Sequence, residues 1–174
     1  SVVRNCYNSG YVSSSSSQFG AGIAGYNDKG TITNCYNSGT ISQSGYDTGG
    51  IAGGNTGEIA KTYNVGSINA NSCGGIVGHM YKSGNVDNSY NSGNLTASEI
   101  GGIVHYVNQE GTQTLSNNYY LNTTAEYGIG RSTNSNIPAP SNQGASPLTS
   151  ENMPSVLSVI NGDNAFVETV YYNS

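Results

Sequence analysis

Short apolar pieces alternate along the chain with polar stretches of Asn, Ser, Thr and Gly, and the alternation is periodic. Aligned on tyrosine, Tyr7, Tyr36, Tyr63, Tyr90 and, more loosely, Tyr119 stand 29, 27, 27 and 29 residues apart. Each unit places an aliphatic residue four positions before its Tyr: Val3, Ile32, Ile59, Val86 and Leu115. A glycine follows the Tyr by three residues, at Gly10, Gly39, Gly66 and Gly93, and two residues later comes a second aliphatic, Val12, Ile41, Ile68 or Leu95. The unit closes on a third apolar piece, AGIAG at 21–25, GGIAG at 49–53, GGIVG at 74–78 and GGIVH at 101–105. None of these pieces is long enough for an ordinary helix, and each internal glycine would weaken one by about 1 kcal/mol. The β-branched and aromatic content instead predicts three short strands per unit. One unit cannot bury its apolar face alone, whereas units wound as successive coils stack their strands about 4.8 Å apart around a shared interior. The prediction is an all-β fold, a parallel β-helix or β-solenoid of about four to five coils of 27–29 residues, spanning residues 1–120. Right-handed winding is the usual bias for such connections.

Stacking explains why NCYNSG is written at residues 5–10 and again at 34–39. Residues of equal register lie above one another, so each coil must satisfy the environment its neighbour sets. Asn8, Asn37, Asn64 and Asn91 are expected to form a ladder of side-chain amides. Gly10, Gly39, Gly66 and Gly93 are expected at a positive-φ turn position. Tyr7, Tyr36, Tyr63 and Tyr90 are expected to stack along one corner. The facing of that corner stays open: Ile32 and Tyr36 share a face in a regular strand, while inward Ile32 with inward Cys35 requires a bend.

The C-terminal third reads differently. Residues 121–147 are rich in Asn, Thr, Ser and Pro and read as an irregular loop or linker. Residues 148–174 read as a cap over the solenoid end, with one short helix at 150–160. Thr149 or Ser150 is its N-cap, Met153, Val156, Leu157 and Ile160 form its apolar stripe, and Asn161 and Gly162 stop it. Phe166, Val167, Val170 and Tyr171 are expected to help close the last coil.

Composition narrows the class. With 25 glycines in 174 residues, no Trp and 9% charged residues, the chain suits an array whose core is assembled unit by unit rather than a conventional globule. A net charge of -5 and five basic residues exclude phosphate neutralisation, so nucleic acid is not an expected partner. No apolar stretch approaches membrane-spanning length and no signal peptide is present, and a chain that starts inside a repeat reads as a fragment of a larger protein.

The GGIAG and GGIVG pieces, each followed by an aliphatic and then by CYNSG or a variant, resemble the GLUG repeat, named for a Gly-Leu-any-Gly core. The resemblance covers residues 3 to about 120. In this chain Ile stands for the Leu throughout, Ala21 replaces a Gly in the first copy, and His105 replaces the closing Gly in the fourth, which suggests that the array ends there. The resemblance implies a secreted or surface-anchored bacterial protein, adhesin-like, or the non-catalytic region of an IgA1-specific metallopeptidase. It also adds to the reading of the Thr-initiated helix, since such proteins often carry one before Leu/Ile-Asn-Gly.

Candidate chemistry is sparse. Cys6 and Cys35 share a register within disulfide reach, but stacked strands hold side chains parallel and the total of three is odd, so free thiols are expected, with Cys73 in another register. His79 and His105 follow their Tyr by 16 and 15 residues, yet no carboxylate shares their register and no H-E-x-x-H is present, so they read as surface or turn histidines rather than zinc ligands. Asp28, Glu58 and Glu110, with Lys29 and Lys82, fall in one variable loop. They are the nearest approach to the carboxylate cluster of a polysaccharide-active β-helix, and solvation is the preferred reading. No catalytic residue, metal or cofactor is expected. The expected function is a non-enzymatic, extracellular repeat module acting in adhesion or as a rigid stalk. Its candidate partners are a host glycan or host protein, met by Tyr7, Tyr36, Tyr63 and Tyr90 or by the loops near Asp47, Lys82 and Glu110. The alternative is an accessory binding region of a larger secreted enzyme, with a polysaccharide-active enzyme last.

Overall fold

Each apolar segment predicted from the sequence forms strand, but the first and third segments both split, so a coil carries five short strands rather than three. The break in the first segment falls on Asn5, Asn34, Lys61, Asn88 and Asn117, whose φ values lie between 47° and 55°. Asn visits this left-handed region at lower cost than most residues, which accounts for its presence at four of the five positions. The left-handed residue turns the chain between Ile32 and Cys35, so that both are buried. Of the two parities left open by the sequence, the chain takes the bend, with Tyr36 on the outside and Asn37 fully buried.

The computed structural model describes residues 1–15, 18–109 and 111–153. Its strands stack into five sheets with every inter-coil strand pairing parallel. Sheet A contains Val2–Arg4, Thr31–Thr33, Glu58–Ala60, Asn85–Asp87 and Thr114–Ser116. Sheet B contains Tyr7–Asn8, Tyr36–Asn37, Tyr63–Asn64, Tyr90–Asn91, Asn118–Leu121 and Ala145–Leu148. Sheet C holds Val12–Ser14, Ile41–Gln43, Ile68–Asn69 and Leu95–Thr96, and sheet D holds Thr48–Gly49, Ser72–Gly74 and Glu99–Gly101. Sheet E runs through Ala24–Asn27, Ala52–Asn55, Val77–Met80, Val104–Val107 and Ile129–Ser132. The protein is a parallel β-solenoid of about five turns. Its main core stacks Ile32, Ile59 and Val86 of sheet A against Ile51, Ile76 and Ile103 from the closing segments. Burying each of these side chains stabilises the array by about 1.5–3 kcal/mol.

The glycines after the Asn ladder do not have the positive φ that the sequence reading assigned to them. They are required by closeness instead. A Cβ on Gly39 would lie 2.0 Å from the Gly10 carbonyl oxygen, one on Gly66 2.0 Å from that of Gly39, and one on Gly93 2.1 Å from that of Gly66. Gly10, in the first described coil, would meet nothing nearer than the Asn8 side chain at 3.5 Å. The GG pairs have a related cause. A Cβ on Gly50 would lie 2.6 Å from the Asn64 side chain, and one on Gly75 2.5 Å from that of Asn91. The solenoid is narrow where sheet B faces the D/E corner, so a buried Asn on one wall requires Gly on the other. That packing couples the NSG and GGIxG motifs.

Residues 121–147 are not only the linker expected from their composition. Ile129–Ser132 extends sheet E and Ala145–Leu148 extends sheet B, so a fifth turn is built after His105, where the array was expected to end. Tyr120 takes the ladder position after Asn91, fully buried, with its hydroxyl 2.9 Å from the Asn142 side-chain oxygen and 3.1 Å from the Glu126 carbonyl. Thr149 begins the expected cap: its carbonyl accepts from the amides of Asn152 and Met153, and its hydroxyl from Asn152. The helix proper and Phe166, Val167, Val170 and Tyr171 lie outside the described residues.

Candidate functional site

Sheet B carries the predicted ladders. On its inner side the amide nitrogens of Asn8, Asn37 and Asn64 each donate to the carbonyl oxygen of the next Asn at 2.8 Å, ending on Asn91. Each also donates within its own coil, to the carbonyl of Gly10, Gly39 or Gly66, and Asn91 donates likewise to Gly93 and to the Thr124 hydroxyl. On the outer side Tyr7, Tyr36, Tyr63 and Tyr90 stack with ring centroids 5.2, 4.8 and 5.0 Å apart and planes within 9° of parallel. Exposure falls along the stack, from 64% at Tyr7 to 8% at Tyr90, which packs with Met153. Burial pushes the Tyr63 hydroxyl up to about 12, aided by its neighbour Tyr36, and Tyr90 is raised further by its own deeper burial and its neighbour Tyr63. Face-to-face stacking leaves ring edges and hydroxyls, but few ring faces, for any partner.

The three cysteines are free. Cys6 is exposed, and its amide donates to the Cys35 sulfur at 3.4 Å. Cys73 is buried, which pushes its thiol up to about 12. Among the expected loop carboxylates, Asp28 accepts from the Thr56 hydroxyl and Glu58 from that of Thr31, while Glu110 lies outside the described residues.

The histidines are not surface residues. His79 and His105 are 7% and 4% exposed, and carboxylates reach them from the loop before sheet D and from sheet D itself. Asp47 ends the loop of residues 44–47 between sheets C and D, held by a left-handed backbone (φ 60°) and by its amide donating to the Ser72 hydroxyl at 3.1 Å. One Asp47 oxygen lies 3.3 Å from His79 Nδ1 and the other 3.5 Å from His105 Nδ1. His105 Nε2 lies 3.0 Å from Glu99, which sits 3.9 Å from Arg131. Burial alone would raise the Asp47 pKa; the hydrogen bonds and charges of His105 and His79 outweigh it and hold the carboxyl at about 2.

These residues line a cavity of about 370 Å³ at the D/E corner, together with Gln18, Tyr46, Asn71, Ser72, Ser98 and Tyr106. An aromatic group adjoins it: Tyr81 stacks on His79 at 3.7 Å, Phe19 and Tyr26 pack edge-on, and Arg131 lies 5.2 Å over the Tyr106 ring. Burial and the Asp47 charge push the Tyr81 hydroxyl up to about 12. His79 Nε2 is buried without a hydrogen-bond partner, while His105 Nδ1 has only the 3.5 Å contact with Asp47. Among the described residues no group of three or more His, Cys, Asp or Glu has the placement to hold a metal ion.

Sequence reasoning missed this cluster because Asp47 and His79 are 32 residues apart and register alone does not join them. One signal was present. Gly25, Gly53 and Gly78 close the first three of the closing apolar pieces, and a Cβ on Gly78 would lie 2.2 Å from the Asp47 backbone. The fourth piece puts His105 there, so the break in the repeat marks the site.

Neither a curated protein nor a solved structure matches the chain. A family model does: the GLUG motif matches residues 21–42, from the AGIAG piece through the Tyr36 and Asn37 ladder positions to the following strand. The same succession recurs in register in the next two coils, so the chain carries a GLUG motif at residues 21–42 and repeats its pattern in the coils that follow.

Proposed function

We propose that the chain is a non-enzymatic repeat module of a bacterial cell-surface or secreted protein, a rigid support that also takes part in adhesion, with further domains in the parent chain. The unbroken ladders carry this reading. Hydrogen-bonded Asn, stacked Tyr and close-packed Gly repeat from coil to coil, so bending between coils would break several buried contacts at once. The aromatic group at the D/E corner favours adhesion over a support alone, since a stalk needs no such cluster on its outer face. Asp47 stays charged far below neutral pH, which suits binding better than proton transfer.

Beads coated with the protein and passed over mucin or an epithelial layer under flow test the reading. Retention above that of beads carrying an unrelated β-solenoid is the expected result. Equal retention removes the adhesive half and leaves a support.

A further inference from the structure

We propose that the D/E-corner cavity is a binding site for a neutral oligosaccharide laid along the solenoid axis; the proposal deepens the adhesive reading and rests on it. The lining residues come from successive turns: Asp47 from the second, His79 from the third, Glu99, His105 and Tyr106 from the fourth, and Arg131 from the fifth. At about 4.8 Å per turn the row is about 14 Å long. That is an extended trough, suited to a chain of a few sugar rings rather than to a single small ion.

The chemistry of the lining matches sugar hydroxyls. Carboxylate oxygens of Asp47 and Glu99 are acceptors, Arg131 and Asn71 supply donors, the Ser72 hydroxyl can donate, and the Ser98 hydroxyl, which donates to the Asn71 carbonyl, can accept. Tyr46 stands at the rim with 65% of its surface exposed and contributes a flat face against which a pyranose can stack. It differs there from Tyr106, which is flanked by Arg131 and by His79 at 4.3 Å, and from the sheet B tyrosines, whose faces are turned to each other. Two carboxylates against one guanidinium disfavour an anionic sugar. The second, independent sign is the incomplete satisfaction of the cluster by its own members: His79 lines the cavity, more than nine-tenths buried, and its Nε2 has no hydrogen bond. Leaving a buried polar group unpaired is costly, and a ligand whose hydroxyls complete the network removes that cost.

Saturation-transfer NMR on the whole chain tests the site, with cellotriose, maltotriose, xylotriose and chitotriose as probes and sialyllactose as the anionic comparator. At least one neutral trisaccharide is expected to bind with a Kd in the range of about 1 mM or below. Tyr46→Ala and Glu99→Gln, both at exposed positions, are each expected to weaken it about tenfold, and Tyr11→Ala, just before Val12–Ser14 of sheet C and outside the cavity lining, to leave it unchanged. Absence of signal from all four neutral probes, a signal from sialyllactose alone, or equal binding by the Tyr46→Ala and Glu99→Gln proteins each overturns the proposal. Bead adherence separates the two readings: beads carrying Tyr46→Ala that adhere as well as the parent overturn the site and leave adhesion standing, whereas non-adherent parent beads remove adhesion whatever the NMR shows.

Discussion

Replacing Asn64 by Ala removes the middle of the amide ladder. Asn64 is fully buried, accepts from Asn37 at 2.8 Å, and donates to Asn91 at 2.8 Å and to the Gly66 carbonyl at 2.9 Å. Without it, one N–H of Asn37 and the donor partner of the Gly66 carbonyl are lost inside the solenoid, while Asn91 keeps the Gly93 amide. Each orphaned buried group costs about 1–3 kcal/mol, so the substitution is expected to destabilise by about 3 kcal/mol. Asn8→Ala is the internal control. It loses a donor to Asn37 and one to Gly10, but Asn8 is only half-buried, and water reaches what it leaves. About 1 kcal/mol or less is expected there. Urea titrations followed by circular dichroism at equal slope report both values, and about 2–4 °C of Tm per kcal/mol gives an independent reading. A cost for Asn64→Ala below about 1 kcal/mol, or equal to that of Asn8→Ala, refutes the claim that the ladder is a continuous buried network.

Gly66→Ala is expected to be more damaging than Gly10→Ala, because the new methyl meets the Gly39 carbonyl oxygen at 2.0 Å in the first case and nothing within 3.5 Å in the second; thermal melts of the two compare them directly. Asn34→Ala, at φ 53°, is expected to cost about 1 kcal/mol, while Asn34→Gly costs less, which chemical denaturation of the pair checks. The folded pKa of Asp47, about 2, lies below its ordinary 3.8, so its contribution is complete above pH 4 and is lost as pH falls towards 2. That amounts to about 2 kcal/mol across the window, and urea melts of Asp47→Asn at pH 5, 4, 3 and 2 are expected to lack that part of the acid slope. One thiol of three, Cys6, is expected to react with Ellman's reagent in the folded protein, with Cys35 and Cys73 reacting only on unfolding.

The periodic positions were legible because stacking is a local rule repeated. Tyr36, Asn37 and Ile41 each meet the residue one coil away, so spacing alone put the Asn and Tyr ladders in register. Features set by the third dimension were not legible. The role of Gly39 as clearance rather than turn depends on a carbonyl one coil below, and the strand breaks at Asn34 and Ile51 depend on how sharply the chain must bend around a narrow core. Residues 121–147 look like linker by composition because their two strands are paid for by Tyr120, Ile129 and Ala145 rather than by a visible repeat. The D/E corner was hidden for a different reason: Asp47 belongs to a loop whose length varies between coils, so nothing periodic ties it to His79 or His105.

In-register stacking is the claim on which every site described above depends, and a distance along the stack tests it most directly. Arg4 and Ser116 are exposed, occupy the same position of sheet A, and are linked through Thr33, Ala60 and Asp87, four inter-coil steps apart. With Cys6→Ser to remove the exposed thiol, spin labels on Arg4→Cys and Ser116→Cys are expected to give a single narrow distance of about 19 Å between the labelled backbone sites by pulsed electron double resonance. A broad distribution, or a maximum well beyond about 30 Å, contradicts a parallel solenoid with one coil per repeat.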